Sequence, residues 1–115
     1  AASDVYKRQA YINKLLNEPL IDGSIVRLLA AYNGGPGNLR KWLARVDHQD
    51  DPFLLIESIP ARETRHYIKS VISNLALYRR QLGEPAPELR ELAAGGPGRF
   101  VSLNLPAVVS SDDGS

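Results

Sequence analysis

Cysteine and methionine are both absent from these 115 residues, and tryptophan occurs once. Without cysteine the chain can build neither a disulfide framework nor a thiolate metal site. That excludes chemistry, not a compartment. The first residues, Ala1-Ala2-Ser3, lack an initiator, which reads as a fragment or a processed chain. No apolar run approaches the roughly 20 residues that cross a bilayer, and no basic-then-apolar signal segment is visible. An excess of one charge is also lacking. Fourteen basic residues face thirteen acidic ones, for a net charge of +1, so nothing demands a nucleic-acid or membrane partner. His48 and His66 stand alone, with no second ligand at metal-binding spacing. A metal site is not expected.

What remains is ordinary for a globular protein, 43% hydrophobic and 23% charged, and its length suits one domain. Tyr11, Ile12, Leu15 and Leu16 lie on a helical stripe within residues 5–16, which Pro19 closes. Ser24 is placed to cap a second helix starting at Ile25. That helix is apolar nearly all round, so it belongs near the centre of the fold. Asn33-Gly34-Gly35-Pro36-Gly37 ends it, since Asn and Gly accept positive φ and Pro cannot continue the ladder. Leu39, Trp42, Leu43 and Val46 fit one face of a third helix, with Arg40, Lys41 and Arg45 on the other. A polar connector over residues 48–51 leads to Pro52, the start of a short helix capped by Asp51. The longest helix is expected over residues 62–82, burying Ile68, Val71, Ile72, Leu75 and Leu82, with Tyr67 and Tyr78 at its edge and Gly83 after it. No strand pattern appears before residue 100. The fold class is all-α.

After Gly83 the composition becomes Pro- and Gly-rich. It reads as a mostly irregular surface tail over residues 84–115, with one short helix near residues 88–94. The string Gly-Gly-Pro-Gly recurs at 95–98, but its flanks differ and it is no internal repeat.

The Gly-rich turn lacks both phosphate-loop spacings and follows a helix. It is either a tight helix–helix connector or bare backbone at the floor of a groove, with Tyr32 and Asn33 offering neutral hydroxyl and amide groups at the lip. Glu57 lies among Phe53, Leu54, Leu55, Ile56 and Ile59. Apolar surroundings would raise its pKa, as a general acid requires. The alternative is a carboxylate paired with Arg62 or Arg65. Glu63 suits the first turn of a helix through the dipole alone. Trp42 and Tyr78 read as core, and Arg79-Arg80 as a solvated face.

The segment from Leu29 to Gly37, L-A-A-Y-N-G-G-P-G, closely resembles the A-Y-N-A-G-P-G motif of the soluble-lytic-transglycosylase (SLT, lysozyme-like) domain. The segment from Ile56 to Ile68, I-E-S-I-P-A-R-E-T-R-H-Y-I, resembles that family's E-S-I-P-F-x-E-T-R-x-Y-V motif, and residues 71–79 are similar to its V-L-x-N-x-x-x-Y-R helix. The resemblance covers residues 10–83, as the C-terminal part of the domain. Gly34 replaces the usual Ala and Ala61 a frequent Phe, both read as small local changes. Residues 1–9 match nothing in the family and look like a non-native leader.

The resemblance implies a lysozyme-like helical lobe from a bacterial periplasmic or envelope enzyme. Such an enzyme cleaves the bond between N-acetylmuramic acid and N-acetylglucosamine in peptidoglycan strands, forming a 1,6-anhydro product without a cofactor. Tyr32, Asn33, Gly34, Gly35, Glu57 and Tyr67 would contact the glycan. The family's general acid is a Glu in an E-S segment well before A-Y-N, followed by G-L-M-Q. Neither segment occurs here, and Glu57-Ser58 matches the later motif, so no catalytic residue is assigned and the chain alone is expected to be inactive. The competing readings are a non-catalytic glycan-binding relic and a helix-turn-helix nucleic-acid module using Arg40, Lys41 and Arg45. Asp47, Asp50 and Asp51 follow that basic face directly and count against nucleic acid.

Overall fold

The computed structural model describes residues 2–45 and 51–94. Among them are six α-helices and no strand: α1 (Ala2–Leu16), α2 (Ile25–Gly34), α3 (Pro36–Arg45), α4 (Pro52–Ser58), α5 (Arg62–Leu82) and α6 (Pro87–Ala93). The all-α class is as the sequence implied, and the arrangement is consistent with a lysozyme-like lobe. Val46, His48 and residues 95–115 fall outside the described residues.

Helix α2 is the centre. Its start follows a tight turn in which Asp22 and Gly23 take positive φ, 49° and 70°, conformations that Asp tolerates and Gly accepts freely. Ser24 then sits in extended backbone, and its hydroxyl accepts from the Arg27 N–H at 3.2 Å. Six of the ten residues of α2 are buried: Ile25, Val26, Leu28, Leu29, Ala30 and Ala31. Each large aliphatic side chain taken from water contributes about 1.5–3 kcal/mol. Helices α1, α3 and α5 all pack on α2, and α4 packs on α5.

The connection between α2 and α3 is shorter than the five-residue turn anticipated. Helix α2 runs through Gly34, and Pro36 already occupies the first position of α3, where its missing N–H is no loss. Gly35 alone makes the bend, at φ 95°. On α3, Leu39 and Trp42 are buried while Arg40, Lys41 and Arg45 are exposed, as the periodicity required. Asp51 caps α4 by accepting from the N–H groups of Phe53 and Leu54.

Helix α5 has the anticipated bounds, and Gly83 closes it in the left-handed conformation at φ 67°. Its stripe is narrower than expected. Ile68 and Leu75 are buried, Val71 and Ile72 half-buried, but Leu82 and Tyr78 are 51% and 44% exposed. The apolar pattern thus continues to the end of α5 without burial there. Arg79 departs from expectation in the opposite sense. Its guanidinium pairs with Glu84 and with Glu88, each at 3.3 Å, and Glu88 is fully buried. With Leu92 buried and Leu89 half-buried, α6 is thus folded back onto α5 by one ion pair and an apolar seam.

Candidate functional site

The two sequence motifs meet where α2 ends and α5 begins. Tyr32, near the end of α2, stacks on Tyr67 of α5 with ring centroids 6.4 Å apart and an interplanar angle of 21°. On its other side lies Tyr11 of α1, at 5.9 Å and tilted by 41°. Three helices therefore contribute to one aromatic run. Offset or tilted rings at these distances attract through their quadrupoles, beyond simple burial. Tyr32 and Tyr67 are half-buried. The Tyr67 hydroxyl is pushed up to about 12, first by burial and then by its neighbour Tyr32, so it remains a protonated donor at any physiological pH.

Next to Tyr32, the exposed Asn33 accepts a 2.7 Å hydrogen bond from the buried Thr64 hydroxyl of α5. Gly34 follows, and the reason for glycine is visible. A Cβ built there would stand 2.6 Å from Cη2 of Trp42 and 3.2 Å from Oγ1 of Thr64, well inside the 3.5–4.0 Å of normal carbon contact. With Trp42 seated this way, Ala at 34 is not the small change that the motif comparison suggests. Gly35 is required for its backbone bend, since the space around its Cα is open.

Glu57 does not share this environment. It ends α4 with an exposed side chain and pairs with Lys69 at 2.6 Å. The Lys69 hydrogen bond, and then its charge, hold the carboxyl below its ordinary value, outweighing the small effect of burial. This overturns the expectation of a raised pKa, and Lys69 replaces Arg62 and Arg65 as the partner. The apolar residues flanking Glu57 in sequence turn away from it. Leu55, Ile56 and Ile59 enter the core, and Arg65 donates to the Ile59 carbonyl instead.

Of the six candidates, Tyr32, Asn33, Gly34 and Tyr67 are thus drawn together, Gly35 supplies the bend, and Glu57 belongs to a separate ion pair. Sequence reasoning missed Tyr11, Thr64, Trp42 and Lys69. Tyr11 lay on a helical stripe with Ile12, Leu15 and Leu16, and Thr64 was passed over beside Glu63, whose place in the first turn the helix dipole explained. The assembled chemistry is neutral: ring faces, phenol hydroxyls and an amide. Among the described residues, no group of three or more His, Asp or Glu could hold a metal ion.

Sequence comparison adds an independent finding. The soluble lytic murein transglycosylases of Salmonella typhimurium (strain LT2) and Escherichia coli (strain K12) are each 46% identical to this chain over 55 residues. The match takes in 48% of this chain and only 8% of each relative's length. No family model matches the chain, and no solved structure does. Across those 55 residues, this chain is related to the soluble lytic murein transglycosylases.

Proposed function

We propose that this chain supplies the glycan-binding wall of a peptidoglycan lytic transglycosylase. In this reading Tyr32, Tyr67 and Tyr11 offer ring faces to the sugars, and Asn33 and the phenol hydroxyls exchange hydrogen bonds with them. The observation that carries it is the meeting of the two motifs through the Tyr32–Tyr67 stack and the Asn33–Thr64 hydrogen bond. A neutral, partly aromatic surface suits an uncharged polysaccharide, whose sugars present apolar faces edged with hydroxyls. The relatives are named for murein, which supports the same polymer, and in this reading the chain works in the bacterial periplasm or cell envelope.

The chemistry is divided from the binding. A transglycosylase needs a carboxyl that is protonated when the glycosidic oxygen must leave. Glu57, whose carboxyl Lys69 holds below its ordinary value, is unsuited to that role. In this reading no glutamate of this chain is assigned as the proton donor for cleavage to the 1,6-anhydro product.

The test is retention on purified murein sacculi, with soluble muropeptides followed by mass spectrometry. The 115-residue chain is expected to sediment with sacculi and to release no anhydro-muropeptides. The double substitution Tyr32→Ala and Tyr67→Ala should reduce retention at least several-fold. Equal retention of that variant, or none by the parent chain, refutes the binding role. Release of anhydro-muropeptides by the parent chain refutes the division of labour.

A further inference from the structure

Asn33 is exposed and Thr64 is only 3% exposed, yet the buried hydroxyl spends its proton on the exposed amide at 2.7 Å. A primary amide has one acceptor oxygen and, on its opposite side, two N–H donors. With Oδ1 engaged by Thr64, Nδ2 is the amide atom left to donate to another group. Among the described residues no hydrogen bond from this Nδ2 occurs, whereas the nearby Asn38 Nδ2 donates to the Gly34 carbonyl at 2.7 Å. Thr64 is itself confined. Its Oγ1 lies against the same bare Cα of Gly34 that Trp42 covers, so the hydroxyl has little room to swing aside.

We propose that Thr64 is a positioning residue for glycan recognition, holding the Asn33 amide with its Nδ2 side turned to a sugar acceptor oxygen. The acetamido carbonyl of an N-acetylated sugar fits best, because a carbonyl oxygen only accepts and so pairs with an amide N–H and not with the amide oxygen. This inference rests on the glycan-binding reading above and adds to it a residue that need not touch the ligand. Thr64 acts by removing the choice between amide orientations. A freely rotating Asn33 would present its oxygen outward part of the time and would lose that fraction of its binding.

The experiment titrates the 115-residue chain with a tetramer of N-acetylglucosamine and with cellotetraose, which carries hydroxyls in place of the acetamido groups. The Asn33 side-chain amide is followed by NMR. The parent chain is expected to prefer the N-acetylated tetramer. Thr64→Val should weaken that binding by about twofold, the loss expected when two amide orientations become equally populated, while leaving cellotetraose binding unchanged. Thr64→Ser should restore the parent's affinity, since the hydroxyl returns. Asn33→Asp keeps the acceptor for Thr64 but removes the donors, so it should abolish the preference with the melting temperature retained. An Asn33→Asp variant that keeps the preference overturns the proposal, because the oxygen would then be the outward group. A folded Thr64→Val variant that binds like the parent overturns it too. Equal binding of both tetramers by the parent defeats this inference alone, whereas binding of neither defeats the glycan-binding reading.

Discussion

Replacing Arg79 by Leu tests how the segment after Gly83 is held. The perturbation strands Glu88, which is fully buried and touches Arg79 Nη2 at 3.3 Å. Two unit charges at that distance attract by about 5 kcal/mol at an effective dielectric of about 20, and part of this offsets the loss of hydration. Breaking such a pair from one side typically costs about 3–5 kcal/mol. The geometry argues for the lower end. Arg79 Nε and Glu88 Oε1 are buried without a hydrogen-bond partner, so the pair is engaged through one contact and not through a two-pronged one. Helix α6 has seven residues, too few to persist alone in water, so undocking and melting coincide. The amides of Arg90 and Ala94, which close α6 at about 3 Å, should therefore exchange roughly 100-fold faster in Arg79→Leu, equivalent to about 3 kcal/mol. Hydrogen exchange read by NMR is the assay. The companion variant, Arg79→Leu with Glu88→Leu, fills the site with apolar groups and should return within about 1 kcal/mol of the parent. Unchanged exchange in the single variant, or a double variant as labile as the single, would refute the reasoning.

Two further outcomes follow from contacts already described. Gly34→Ala should destabilise the chain by about 1–2 kcal/mol, overpacking against Trp42 exceeding the gain in helix propensity. Adding Trp42→Phe should recover about 1 kcal/mol of the summed effects. Urea unfolding followed by circular dichroism measures both, since the single tryptophan is itself altered, and strict additivity would contradict the contact. For Tyr67, folding favours the neutral hydroxyl. Its stabilising effect is complete below pH 10 and is lost as pH rises toward about 12. Tyrosinate absorbance should show one of the five tyrosines titrating last, and Tyr67→Phe should remove that step. A last step that survives the substitution would count against it.

Much of this fold is legible in the sequence because local rules and tertiary packing agree. Ser24, Asp51, Pro52 and Gly83 sit at helix ends where their side chains or backbone freedom dictate, and α5 begins and ends where punctuation says. The failures have one source. Sequence neighbours do not reveal which side of a helix meets another element. Glu57 has apolar neighbours in the chain and Lys69 in space. Leu82 and Tyr78 continue the apolar pattern of α5 yet stay exposed, while Arg79, charged and near a helix end, meets a buried carboxylate. At the site, Tyr32 and Asn33 were readable from their motif, but Tyr11 and Thr64 depend on how three helices converge. Periodicity does not carry that information.

The one-residue bend at Gly35 also has a kinetic consequence. Helices α2 and α3 meet across almost no intervening chain, so their packing requires little loop closure and is expected early in folding. Asn33 and Thr64 are 31 residues apart, and their hydrogen bond waits on α4 and the docking of α5. The aromatic run likewise needs α1 and α5 in place. The contacts that make up the proposed binding surface are therefore expected to assemble late in folding, and slow refolding phases should register at Tyr32, Asn33 and Tyr67.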